Sequence, residues 1–167
     1  MMKSVEKAGM AGMKRKQNPA QISAQDFFTE AEKLRDDYAA FLQVGDPKRI
    51  VIIPSASYGL STVARNLPLA RGERIVLVGE QFPSNVYPWQ RLAAETGASL
   101  HMVEPPKTTD NRGKIWNQRI LEAITPGTKV VAMGNVHWAD GTHFDLEKIG
   151  RTVRDRGAHL IIDGTQS

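Results

Sequence analysis

Five short apolar runs, mostly β-branched, fall at residues 49–53, 75–78, 99–103, 129–133 and 159–162, each separated from the next by enough chain for a helix. None alternates apolar with polar residues, which is the pattern of strands covered on both faces rather than one. Parallel neighbours need a crossover of a dozen residues or more, and every gap provides one. Helices are expected over residues 57–67, 85–95, 115–124 and 145–156. The pattern predicts an α/β three-layer sandwich with a mostly parallel sheet. Upstream, Phe27, Ala31, Leu34, Tyr38, Phe41 and Leu42 recur at spacings of three and four. That spacing predicts an amphipathic helix, with Asp26 as N-cap and Gly45-Asp46-Pro47 as its stop.

Several function classes fall away at once. The chain has no cysteine, so a disulfide, a thiolate nucleophile and a Cys-ligated metal are excluded within these 167 residues. The longest apolar runs are far short of the roughly 20 residues a membrane span needs. The start lacks the continuous apolar stretch of a secretory signal, so the sequence reads as a soluble, cytoplasmic chain with no membrane partner. The net charge of +4 invites a nucleic-acid reading until it is located. Lys3, Lys7, Lys14, Arg15 and Lys16 against Glu6 supply the whole excess, and the remaining residues balance. A basic stripe interleaved with aromatics, the mark of a nucleic-acid surface, is missing, so no nucleic-acid partner is expected. Residues 1–25 read as a basic helix or linker, and residues 26–167 as the main folded body.

In a parallel sheet the ligand site lies beyond the carboxyl ends of the strands. That directs attention to residues 54–59, 79–87, 134–141 and 163–167. They hold no G-x-G-x-x-G, no Walker lysine and no G-x-S-x-G elbow. There is no H-E-x-x-H, and the four histidines (101, 137, 143, 159) are scattered, so no metal site is expected. The strand ends do carry groups suited to pyridoxal 5'-phosphate. After the first run, Pro54-Ser55-Ala56-Ser57-Tyr58-Gly59 leads directly into a helix, whose free N–H groups and dipole favour a phosphate. Ser57 would add a hydroxyl, or is simply an N-cap. Asp163 ends the last run, where a carboxylate facing a pyridine nitrogen would keep it protonated. Gln166 lies within reach of the same ring's phenolic oxygen. The alternative is an ordinary Asp-Gly turn. Phe82 either stacks on a cofactor ring or packs into the core.

Taken together, Ile-Pro-Ser-Ala-Ser-Tyr-Gly-Leu, Glu-Gln-Phe-Pro-Ser-Asn-Val-Tyr-Pro-Trp-Gln, Gly-Asn-Val-His-Trp-Ala-Asp-Gly-Thr and Ile-Ile-Asp-Gly-Thr-Gln-Ser resemble the class V aminotransferase family of fold type I pyridoxal-phosphate enzymes. That family includes cysteine desulfurases, isopenicillin N epimerase-like proteins and kynureninase. The resemblance covers about residues 20–167. It implies that Ala56 and Ser57 bind the cofactor's phosphate and that Phe82 stacks on its ring. Trp138 would sit on the oxygen side, with His137 and Asn135 as neighbouring candidates; for His137 a structural imidazole is the plainer role. Asp163 would be the pyridinium partner, and Gln166 would contact the phenolic oxygen. Desulfurases usually stack a His where this chain has Phe82, and commonly carry Asn in place of Trp138. Those departures lean toward the epimerase-like or kynureninase-like branches.

The family's chemistry also needs a Schiff-base lysine, which the resemblance puts beyond the Asp-x-x-Gln motif. All the lysines here precede Asp163, and none lies in the expected context. The expectation is therefore a partial large domain, truncated at both ends and without the small C-terminal domain. Alone, it should be inactive and poorly soluble or oligomeric. In the complete enzyme it would act on an amino acid or related amine, by transamination, epimerisation or lyase chemistry, as a homodimer. The competing reading is a non-catalytic α/β binding module or scaffold remnant.

Overall fold

Four of the five apolar runs form strands: β1 (Arg74–Val78), β2 (Ser99–Val103), β3 (Thr128–Gly134) and β4 (His159–Asp163). They make one parallel sheet in the order β2-β1-β3-β4. The computed structural model that shows this describes residues 1–167, which divide into two units, residues 1–52 and 53–167.

In the second unit the strands alternate with α3 (Ala56–Asn66), α4 (Tyr87–Thr96), α5 (Arg112–Ala123) and α6 (Leu146–Asp155). Successive strand residues point to opposite faces, so each buried strand feeds two cores. Ile75, Leu77, Val130 and Ala132 pack with Leu60, Trp89 and Leu92 of α3 and α4. Val76, Val78, Val131 and Met133 pack with Trp116, Ile120, Ile149 and Val153 of α5 and α6. The result is the three-layer sandwich expected. The layering also follows from handedness. The step from β1 to β2 runs one way along the sheet, while the steps from β2 to β3 and β3 to β4 run the other way. With right-handed crossovers, reversing direction moves the connecting helix to the opposite face.

Helix ends carry local signals. Ser55 Oγ accepts from Tyr58 N (3.1 Å) and caps α3, so the N-cap is Ser55 and not Ser57, which lies inside the first turn. Asp145 caps α6 by accepting from Lys148 N (3.0 Å). Gly97 closes α4 at φ +74°, a left-handed conformation that glycine adopts without steric cost.

The fifth run departs from expectation. Residues 49–53 form no strand; Pro47–Arg49 make a turn of 3₁₀ helix, and the chain runs on in an irregular path. Val51 is 73% exposed. A β-branched run becomes a strand only where a neighbour supplies a hydrogen-bond ladder, and the four-stranded sheet supplies none here.

In the first unit, α1 (Lys3–Arg15) holds most of the basic excess, and α2 (Thr29–Phe41) matches the expected amphipathic helix. Asp26 does not cap α2. It is the third residue of a short 3₁₀ turn, where its carboxylate takes hydrogen bonds from Ser23 N (2.8 Å) and Ser23 Oγ (2.7 Å) in a capping box. The apolar stripe of α2, including Leu34, Tyr38 and Phe41, stays exposed; only Ala39 on this helix is buried. No helix of the chain is long and apolar enough to cross a membrane.

Candidate functional site

The reversal of strand order leaves a crevice between the carboxyl ends of β1 and β3, because the loops leaving them turn to opposite faces. A cavity of about 200 Å³ lies there. Val78 and Gly134, the last residues of β1 and β3, line it, as does Asp163, the last residue of β4. Ala56, Ser57, Phe82, Trp138 and Gln166 line the same cavity, so with Asp163 all six cofactor-site candidates from sequence come together in one place.

Four separate stretches of chain deliver them. Ala56 and Ser57 are the first two residues of α3, where backbone N–H groups lack intrahelical acceptors. Asp163 pairs in register with Gly134. A Cβ at Gly134 would fall 2.9 Å from Val136 O and 3.7 Å from Asp163 O, so the missing side chain keeps this corner open. Asp163 Oδ1 accepts from Thr165 N (3.1 Å) and Thr165 Oγ1 (2.5 Å), which fixes the carboxylate while Oδ2 has no partner within the chain.

Phe82 and Trp138 meet at the rim as an edge-to-face pair, ring centres 5.6 Å apart and planes at 88°. Both are half exposed, 52% and 50%, so Phe82 is not a core residue. Trp138 Nε1 donates to Glu80 O (2.8 Å). Of the neighbouring candidates, Asn135 does not line the cavity; its amide donates to Ser167 Oγ (3.1 Å). His137 does line it, at 3% exposure, and both ring nitrogens are engaged: Nδ1 with Asp140 Oδ1 and Nε2 with Glu80 O, each at 3.1 Å.

Asp140 is itself the centre of a network. Its Oδ1 also accepts from Thr142 N (3.0 Å), and its Oδ2 from Arg112 Nε (2.8 Å). Partial burial would raise this carboxyl, but hydrogen bonds from Thr142 and Arg112 and the nearby His137 outweigh it and hold Asp140 at about 2. The Arg112 guanidinium lies over the Trp116 ring at 5.3 Å, and Trp116 in turn packs on His137 at 5.0 Å.

Sequence reasoning gave no role to Gln81 or Asn85, which also line the cavity. Gln81 Nε2 donates to Asn85 O (3.0 Å), Asn85 Nδ2 to Gln81 Oε1 (3.2 Å), and Trp89 Nε1 to Asn85 Oδ1 (2.9 Å). These bonds fix the loop that carries Phe82. The one signal available in sequence was a pair of amides inside an otherwise aromatic, Pro-rich stretch. Chemically, the cavity offers free amides at one wall, a fixed carboxylate at another and aromatic rings at its mouth.

Residues 10–167 match the family model for class V aminotransferases. A probable cysteine desulfurase of Pseudomonas putida is 32% identical over 95% of this chain. The chain spans 38% of that relative's length. The apo structure of a cysteine desulfurase from Thermococcus onnurineus NA1 is similar at 30% identity, covering 81% of this chain and 33% of that one, with a TM-score of 0.71. A variant of C-DES with glycine covalently linked to its PLP cofactor covers 96% of this chain and 42% of that one, with a TM-score of 0.77. Its 22% identity makes that a likeness of fold.

Proposed function

The chain belongs to the class V aminotransferase family, and from that premise we propose that residues 53–167 form the pyridoxal-phosphate-binding core of an enzyme that acts on an amino acid, with carbon–sulfur cleavage of a cysteine-type substrate as its reaction. The cofactor, when bound, supplies an electron sink for a bond broken at the substrate's α-carbon. The residues present fit it: the anion-binding turn at Ala56 and Ser57 and the carboxylate of Asp163 line one cavity, and that single observation carries the reading.

The free N–H groups at Ala56 and Ser57, with the Ser57 hydroxyl, take the phosphate at the positive end of α3. Asp163, oriented by Thr165, holds a proton on the pyridine nitrogen through its free Oδ2. Gln166 would contact the phenolic oxygen, Phe82 would cover one face of the ring, and Trp138 would lie on the oxygen side. No lysine lines the cavity, so what these residues do is bind and orient. Support for carbon–sulfur chemistry comes from the relatives named as cysteine desulfurases. Phe82, which carries no proton, favours a second reading, in which the amino acid is epimerised or cleaved in the manner of the epimerase-like and kynureninase-like branches.

The test is titration of the purified chain with pyridoxal phosphate, followed by absorbance. Saturable binding is expected, with none of the cofactor fixed to the cavity by borohydride. Asp163→Asn loses a charge-assisted hydrogen bond and should weaken binding about ten- to a hundredfold. Equal affinity in the two proteins would sink the cofactor reading. Release of sulfur from L-cysteine by the protein its gene encodes would separate the two reactions.

A further inference from the structure

Two loops border the cavity at the reversal point: residues 79–86 after β1, carrying Phe82, and residues 135–145 after β3, carrying Trp138. Besides the Phe82–Trp138 ring contact, one carbonyl oxygen ties them by hydrogen bonds. Glu80 O accepts both His137 Nε2 (3.1 Å) and Trp138 Nε1 (2.8 Å), one for each lone pair of the carbonyl. The backbone is bent to allow it, since Glu80 has φ +52°, a left-handed conformation rarely adopted by a residue with a side chain. Such an outlier persists only where its surroundings over-determine it. They do so here: His137 is buried, packed at a tilt against Trp116 and tied through Asp140 to Arg112. Arg112 also donates to Pro106 O, which anchors the chain to a third loop, after β2.

We propose that His137, braced by the Asp140–Arg112 pair, is a positioning residue that clips the β1 and β3 loops together through Glu80 O, and so sets the place of Trp138 against Phe82 at the cofactor's entrance. It touches the loops rather than the reacting atoms. The distinction matters because Trp138 is half exposed and would otherwise be free to swing away from Phe82. This inference rests on the cofactor reading for its consequence, but not for its geometry.

The experiment therefore has two readouts. The first needs no cofactor: the indole N–H signal of Trp138, identified by its loss in Trp138→Phe, is followed by ¹H–¹⁵N NMR and hydrogen exchange in the intact chain. His137→Phe keeps an aromatic ring against Trp116 and deletes both ring nitrogens, so the Trp138 indole should shift and exchange at least about tenfold faster. His137→Gln keeps a donor near the Nε2 position and should restore much of the protection. Should His137→Phe fail to fold, Asp140→Ala, which removes the carboxylate that braces His137, supplies the same measurement. The second readout is affinity for pyridoxal phosphate, expected to fall about five- to tenfold in His137→Phe and to recover in His137→Gln. An unchanged Trp138 signal in a folded His137→Phe or Asp140→Ala protein overturns the clip, whatever the cofactor does. If the wild-type chain fails to bind pyridoxal phosphate while the variants show the Trp138 changes, the clip stands and the cofactor reading alone is overturned.

Discussion

Asn85 offers a sharp test of how the Phe82 loop is held. The residue is 1% exposed, and three of its bonds matter here: its Oδ1 accepts from the buried Trp89 indole, its Nδ2 donates to Gln81, and its backbone O accepts from Gln81. Asn85→Ala removes the first two and leaves the third. Gln81 is partly exposed and recovers water, but the Trp89 N–H is stranded in a dry core. An unsatisfied buried donor costs about 1–3 kcal/mol, and the small void adds to it, giving about 2–3 kcal/mol in all. For a chain of this size that is roughly a 4–12 °C drop in melting temperature. Trp89→Phe removes the indole N–H while keeping most of the aromatic bulk. In that background Asn85→Ala strands nothing, so the double mutant should be at least about 1 kcal/mol more stable than the sum of the singles predicts. Urea unfolding of the four proteins measures this. Additivity within about 0.5 kcal/mol would refute the claim that the Trp89–Asn85 bond, rather than side-chain volume, holds the loop.

Two further outcomes follow from the same site. Asp140 is held at about 2 against an ordinary 3.8, so its contribution is complete above pH 4 and fades as the pH falls from about 4 to 2, with no change between pH 5 and 8 from this group. Melting temperature measured from pH 5 to pH 2 should therefore fall more steeply in the wild type than in Asp140→Asn, and parallel curves would contradict the assignment. Gly134→Ala forces a Cβ to within 2.9 Å of Val136 O. It should cost about 1–3 kcal/mol in urea unfolding and weaken pyridoxal phosphate more than Asn85→Ala does, since it fills the corner beside Asp163.

Much of this architecture was visible in the chain itself, and the reasons are physical. The runs at β1, β2, β3 and β4 stand out because a strand buried on both faces tolerates few polar residues, and the helices between them carry the complementary period. The run at 49–53 has the same composition yet no ladder, since strand pairing depends on a distant partner that composition does not encode. Asp26 misleads for a related reason: a capping residue is recognisable, but which of two adjacent turns it caps is settled by geometry. Phe82, Trp138, Asp163 and Gln166 were legible as neighbours because the carboxyl ends of parallel strands lie on one edge of the sheet, whereas Ala56 and Ser57 reach the same cavity at the start of α3 with no strand before them. Arg112, Asp140 and Glu80 were not. Their contacts join residues 28 and 57–58 positions apart through single side-chain or carbonyl atoms, and no periodicity announces such a bond.

The change of direction between β1 and β3 has a consequence for redesign. The crevice is a product of chain wiring, so it survives any rewriting of the two segments that flank it, provided the strands beneath keep their order. Substrate preference could then be altered by grafting replacement segments between residues 79 and 86 or 135 and 145, with the framework untouched. The graft most exposed to failure is one that replaces a single segment, because its anchoring carbonyl and its anchoring imidazole belong to different ones.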